Sequence, residues 1–297
     1  MKKIFLKLKE PTLSEVRNYL AQDYEFSDFP EGTLATITDT EELKNSSINI
    51  DGTTFIISDL TDDENIQLIC QYGIRHLVGK NNEIYLEELL NNLKKLQSNN
   101  LWGVKHYLGS EFQEKVISFS DSVNMQDKIT QELKHFQFDG YFSSPTDYLQ
   151  VMANELLSNS LYKGPNKKRS LVGIDLSDRK SPAFLKGAEL VQTTLGCNDK
   201  GVALSVQDSF GELTLKIVID NLVRSFKERS PLDKKDGAGL GLYLTFLHSN
   251  QFIINLRPGF RTEVICIIDK NKRYKQYKSR IRSFHFFEEV SSEKTNS

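Results

Sequence analysis

Apolar positions in the first hundred residues switch between two periods. Short apolar runs at 3–8, 33–38, 53–58 and 74–78 predict strands. The third, TTFIIS, is so nearly continuous that both of its faces should be covered. Between the strands the spacing is helical. One helix is predicted over 13–20, and another opens on the capping box Thr61–Glu64 and carries Ile66, Ile69 and Tyr72. A third over 82–97 places Ile84, Leu89, Leu90, Leu93 and Leu96 on one face. Strands alternating with helices predict a parallel sheet covered on both sides, in a unit spanning 1–98.

The next stretch, 99–139, reads as a linker and connecting segment. It is polar around Trp102 and Tyr107, with a short strand at 116–119 and a helix striped by Met125, Ile129, Leu133 and Phe136. From 140 to 270 the signals are stronger. Ser144-Pro145-Thr146-Asp147 starts a helix with a hydroxyl cap, a first-turn proline and a carboxylate three residues after the cap. On that helix Glu155 and Asn159 stand one turn apart on one face. A strand at 202–206 delivers Asp208-Ser209-Phe210-Gly211. Further on, Gly237, Gly239 and Gly241 alternate at the start of an apolar helix. Glycines there let backbone N–H groups approach phosphate, and the helix dipole favours the negative charge. Strands at 252–256 and 264–268 flank Gly259-Phe260-Arg261-Thr262-Glu263. The tail, 271–297, is basic at first and then reads as a solvated segment leading into a final edge strand.

Composition narrows the classes. With 297 residues, 38% of them hydrophobic, the chain can bury a full core in two domains. A formal charge of −2 recruits neither nucleic acid nor an acidic membrane. Cys70, Cys197 and Cys266 are too widely spaced for a metal motif, and they suit a reduced cytoplasmic compartment. No apolar run approaches the ~20 residues of a membrane span, and 1–8 lacks a signal-peptide core.

Two resemblances add to this reading. Residues 71–81, QYGIRHLVGKN, resemble the end of a response-regulator receiver domain, with Lys80 at the receiver lysine and Ser58 at the hydroxyl position. Only Glu10 stands where a receiver holds an acidic pair, Asp59 lies too near Lys80, and Asp39 has a poor context. The resemblance therefore implies a receiver-like, flavodoxin-like α/β fold without phosphorylation chemistry. In the second half, the order Glu155/Asn159, Asp208/Gly211, Gly237/Gly239/Gly241 and Gly259/Thr262 resembles the N, G1, G2 and G3 boxes of the GHKL ATPases. That implies a two-layer α/β sandwich with helices on one face of a mixed sheet, and ATP and Mg2+ as cofactors. By the same resemblance, Asn159 would bind the metal and Asp208 the adenine amino group. Gly211 would pass close to the base, Thr262 would bond near it, and 224–236 would be the lid. The family usually has glycine where this chain has Phe210.

The type of member follows from two further features. None of the five histidines has the context of a phospho-acceptor on a dimerisation hairpin. Glu155 stands where histidine kinases commonly carry asparagine, and this resembles the anti-sigma-factor serine kinases and the gyrase-type ATPases. A carboxylate there suits a general base. The expectation is a cytoplasmic ATP-binding signalling regulator that phosphorylates or sequesters a protein partner, with room for a homodimer. A non-catalytic ATP-binding interaction protein and a histidine-kinase-like ATPase acting in trans are the alternatives.

Overall fold

The computed structural model describes residues 1–45, 48–81, 84–98, 100–136, 138, 141, 145–163, 183–185, 189–227 and 240–289. They form a mixed α/β structure of two compact units. One is Met1–Leu101 with Arg280–Phe286, the other Trp102–Ser279 with Phe287–Ser297. Among the described residues no helix is long and apolar enough to cross a membrane.

In the first unit β1 (Lys3–Lys7), β2 (Glu25–Ser27), β3 (Ala35–Asp39), β4 (Thr54–Ser58) and β5 (His76–Gly79) run parallel in the order β2-β1-β3-β4-β5. Helices α1 (Thr12–Leu20), α2 (Thr40–Asn45), α3 (Asp62–Tyr72) and α4 (Ile84–Ser98) connect or follow them. All five residues of β4 are buried, as its unbroken apolar run demands. Around it Ile4, Ile37, Phe55, Leu89 and Leu93 are core residues. The capping box is complete: Glu64 N–H donates to Thr61 Oγ1, and Thr61 N–H donates to the Glu64 carboxylate at 2.9 Å. Gly73 ends α3 at φ +64°, a conformation glycine adopts without a Cβ penalty. The short elements β2 and α2 are too brief to show a period and were not anticipated.

The second unit holds β6 (Gln113–Phe119), β7 (Val191–Cys197), β8 (Gly201–Asp208), β9 (Gln251–Arg257) and β10 (Arg261–Asp269), in the order β9-β10-β8-β7-β6. Every ladder among them is antiparallel, where the resemblance implied a mixed sheet. The connections 198–200 and 258–260 are too short for anything but antiparallel neighbours. The helices are α5 (Lys105–Leu108), α6 (Met125–Leu133), α7 (Pro145–Ser158), α8 (Leu215–Lys227), α9 (Gly241–His248) and α10 (Tyr274–Lys278). A π-helical turn, Asn159–Lys163, extends α7. Helix α7 packs on β8 and β10, and α9 on β9 and β10.

Two expectations change here. Of the segment expected as a linker, 99–139, all from Trp102 on belongs to the second unit. The Trp102 indole N–H donates to Glu289 at 2.7 Å, Gly103 N–H donates to Glu263, and Tyr107 and Leu108 of α5 are buried. The lid expected over 224–236 begins too early. Arg224–Lys227 are the last turn of α8, which buries Val218, Leu222 and Ser225 on one face. The remainder, 228–236, lies outside the described residues.

The tail carries the final strand read from the sequence, but that strand and the arginines just before it are buried rather than solvated. Strand β11 (Ser283–Glu288) runs antiparallel to β5 with His285 opposite His76, and its first five residues are buried. Asn81 exchanges two hydrogen bonds with the backbone of Ile281, at 2.7 and 2.8 Å. A Cβ at Gly79 would overlap the Ile281 carbonyl, so close approach of the two chains requires glycine there. Arg282 pairs with Asp62 at 2.5 Å, and Arg280 and Arg282 are both buried.

Beneath β11 lies a buried polar contact. His285 Nε2 is 2.9 Å from Glu88 Oε1 and 3.2 Å from Asn92 Nδ2. The Asn92 amide nitrogen also donates to the Glu88 carbonyl, which sets its orientation. An amide nitrogen only donates, so Nε2 is an acceptor and the hydrogen towards Glu88 belongs to the carboxyl. Burial accordingly pushes Glu88 up to about 8, and burial with the nearby Lys95 charge pushes His285 down to about 3. Glu88 holds its proton folded but loses it unfolded between 4.5 and about 8, so stability falls as pH rises through that window. His285 acts oppositely, so stability falls as pH drops from 6.5 towards 3. Glu88→Gln keeps a donor without a proton to lose. Chemical denaturation should show the wild type losing up to about 1.4 kcal/mol per pH unit above neutrality, with the slope reduced in the variant. Parallel profiles would contradict the neutral pair.

Candidate functional site

Strand β8 ends on Asp208, which is 9% exposed. Its Oδ1 accepts the Phe210 N–H at 3.0 Å, and its Oδ2 accepts the Ser160 hydroxyl at 3.1 Å. Across the ladder its partner is Thr262 of β10. Burial raises the Asp208 carboxyl above its ordinary range. The Phe210 amide, Ser160, the Gly211 amide and Thr262 oppose that rise.

Gly211 follows at φ +64°, and a Cβ on it would meet the Arg257 carbonyl and the Phe260 amide of the β9–β10 turn. Gly259 N–H donates to the Gly211 carbonyl at 3.0 Å. Glycine is thus required both by backbone conformation and by the close approach of the hairpin. Phe210 is 1% exposed, so its ring is a core element.

Helix α7 supplies the other wall. Its apolar face buries Leu149, Met152, Ala153, Leu156 and Leu157. Asn159 and Ser160 open the π-helical turn, a rare geometry that is frequent at functional sites. Ser160 reaches Asp208, as above. Asn159 Oδ1 is buried and has no hydrogen-bond partner among the described residues, and the same holds for Thr262 Oγ1. Thr262 lies close enough to Asp208 to favour its charged form, yet its hydroxyl makes no hydrogen bond of good geometry. Buried oxygens are normally paired, so these two are candidate ligand contacts, Thr262 opposite Asp208 on the ladder and Asn159 directly before Ser160.

One turn before Asn159, Glu155 lies against the start of α9. A Cβ on Gly241 would overlap the Glu155 carboxylate. Gly241 therefore makes room for Glu155 at the amino end of the helix, whose partial positive charge suits a carboxylate. Gly237 and Gly239 lie outside the described residues. The structure so brings together Asp208, Gly211 and Thr262, and separately Glu155 and Gly241, with Asn159 between them along α7. Ser160 was missed in the sequence. Its only signal was a hydroxyl directly after Asn159.

On the opposite face of β10, Glu263 is buried in a satisfied network. Its carboxylate accepts Ser205 Oγ at 2.7 Å, Asn255 Nδ2 at 2.9 Å and Gly103 N–H at 3.0 Å. Alternation along the strand puts this carboxylate away from Thr262, so it serves the fold.

The receiver-like residues of the first unit gather at strand ends. With Glu25–Ser27 counted as a strand, Asp39 ends the third, Ser58 the fourth, and Lys80 follows the fifth. Each is engaged internally. Asp39 accepts the amides of Lys9, Glu41 and Glu42 at 2.9, 3.0 and 2.8 Å. Ser58 Oγ donates to Asn65 at 2.5 Å, and Lys80 Nζ donates to Thr12 at 2.7 Å. Glu10 accepts from Ser14 on α1. Among the described residues no group of three or more His, Cys, Asp or Glu side chains is disposed to hold a metal ion.

No family model and no curated protein matches this chain.

The contact at Gly241 makes a direct prediction. Gly241→Ala should destabilise the protein by no more than about 1 kcal/mol, because the atoms it overlaps are the end of the flexible Glu155 side chain, which can turn aside. In a Glu155→Ala background the same change should cost much less, because the overlapping carboxylate is gone. Urea denaturation of the four proteins in this double-mutant cycle measures the difference, and additive effects would refute the contact.

Proposed function

We propose that the second unit is an ATP-binding domain of the GHKL type, serving a signalling regulator that resembles the anti-sigma-factor serine kinases. The observation that carries this is the cluster at the end of β8. A buried carboxylate is aimed by Ser160 and the Phe210 amide, with Thr262 opposite it on the ladder and Asn159 directly before Ser160. Among the described residues the Thr262 and Asn159 oxygens make no hydrogen bond of good geometry. The order of elements supports it too, since α7 precedes β8, and α9 precedes the β9–β10 hairpin that carries Thr262.

The residues fit the expected cofactors. The buried amide oxygen of Asn159 is a hard donor of the kind magnesium takes, and one such ligand suffices when phosphates supply others. When bound, ATP with magnesium would supply the phosphoryl group and the cation that offsets its charge. The protein's part is then recognition and proton handling. Asp208 accepts from the exocyclic amine of the base, and the Thr262 hydroxyl bonds at the same edge. Gly211 lets the hairpin close over them. Glu155 takes up a proton at its carboxylate from an attacking serine hydroxyl or water.

In the first unit the strand order β2-β1-β3-β4-β5 is that of flavodoxin-like sheets. It supports a receiver-like fold, and the internal engagement of Asp39, Ser58 and Lys80 supports the loss of phosphorylation chemistry.

A second reading, a non-catalytic ATP-binding interaction protein, is favoured by the contact between Glu155 and Gly241. A carboxylate used as a helix-end counter-charge has a structural reason to be there.

Calorimetry with Mg-ATP, together with turnover in the presence of candidate protein partners, separates these. Asp208→Asn should weaken ATP binding by about 1.5–3 kcal/mol, the range for a hydrogen bond to a charged group. Glu155→Gln should leave affinity near the wild type while lowering phosphoryl transfer or hydrolysis by about 10²–10⁴. Unchanged turnover removes Glu155 as the base, and wild-type ATP binding without turnover favours the non-catalytic reading. For the first unit, acetyl phosphate should leave residues 1–98 unmodified. A hydroxylamine-sensitive acyl phosphate on Asp39 would reverse that.

A further inference from the structure

Ser160 is 8% exposed and stands directly after Asn159 in the π-helical turn. Its hydroxyl donates to Asp208 Oδ2 at 3.1 Å, while Oδ1 is held by the Phe210 amide at 3.0 Å. The two bonds fix the plane of the carboxylate from opposite sides. The amide is part of the backbone of the β8 turn and comes with the strand. The hydroxyl comes from a different element, so it ties Asp208 to the helix that carries Asn159.

We propose that Ser160 is a positioning residue that aims the Asp208 carboxylate at the base and thereby sets the affinity for the nucleotide. This rests on the reading of the second unit as an ATP-binding domain. The surroundings of Asp208 leave few other means of holding its charge. Facing it are Ser160, Thr262 and the amides of Phe210 and Gly211, and burial works against all of them. Charged groups on the surrounding elements are differently occupied. Glu155 lies against Gly241, and the Arg257 guanidinium lies over the Phe260 ring at 5.0 Å. Arg261 bonds Gln207, and Glu263 bonds Ser205 and Asn255, both on the face of β10 away from Thr262. Glu212 follows Gly211 in the loop after β8. A protonated Asp208 presents a hydrogen where the exocyclic amine also presents hydrogens, so binding fails as the carboxyl takes up a proton. Removing a donor from the charged form moves that failure to higher pH.

The experiment uses the full chain and two ligands, ATP and purine riboside triphosphate, which lacks the exocyclic amine. Dissociation constants are measured by calorimetry from about pH 5 to about pH 8 for the wild type, Ser160→Ala and Ser160→Thr. Ser160→Ala should weaken ATP binding about tenfold at neutral pH, and leave the analogue within about twofold. Its acid loss of ATP binding should begin about one pH unit higher than in the wild type. Ser160→Thr, which keeps the hydroxyl, should restore both affinity and pH profile. Equal weakening of ATP and analogue, or an unshifted pH profile, overturns the positioning role while the ATP-binding reading stands. A folded wild type that binds neither ligand overturns that reading, and the inference with it.

Discussion

A carboxylate taken out of water must be given hydrogen bonds or a proton, and this constraint organises both units. Asp208 receives donors from its own turn and from the π-helical turn, and the residues that provide them are those that build the candidate site. Had Asp208 been left without Ser160, desolvation would have been opposed by fewer bonds, and the neutral acid would have gained ground. The position of α7 against β8 and the ionisation of Asp208 are therefore one problem with one solution.

Two other buried carboxylates meet the constraint differently. Glu263 lies among three donors from three chain segments, which hold it as a satisfied hub and join Gly103 to the sheet. Glu88 meets an imidazole that accepts, so it keeps its proton and the pair is neutral. The difference lies in what surrounds each acid: donors stabilise the anion, whereas an acceptor beside it stabilises the acid. Among the described residues, the Thr262 hydroxyl opposite Asp208 and the Asn159 amide oxygen before Ser160 make no hydrogen bond of good geometry.

Long elements with a sustained period were legible in the sequence. Helix α4 and strands β4, β9 and β10 repeat the apolar pattern expected of them, and the Thr61–Glu64 capping box formed as read. Elements without a period were not legible. Strand β2 has three residues, and β7 carries Gln192, Thr193 and Thr194 in its interior. Helix α8 was hidden because its basic end invited a loop. In the site, the motif residues Asp208, Gly211 and Thr262 were legible by type and order. Ser160 was not, since its value comes from a tertiary contact across 48 positions. Likewise nothing local in 280–288 announces that its arginines and His285 are buried.

Residues 280–286 belong to the first unit although nearly 180 residues separate them from its other end at Leu101. The chain is synthesised from its amino end, and domains tend to fold as they emerge. Here the emerging first unit has its parallel strands but neither the partner of β5 nor the imidazole that answers Glu88. It must wait, with a sheet edge open and an acid unmatched, until the second unit's strands have been made. The folding of the two units is thereby put in sequence by connectivity alone. A fragment cut at the apparent boundary near residue 101 would be an unfinished intermediate, open to association through the edge of β5.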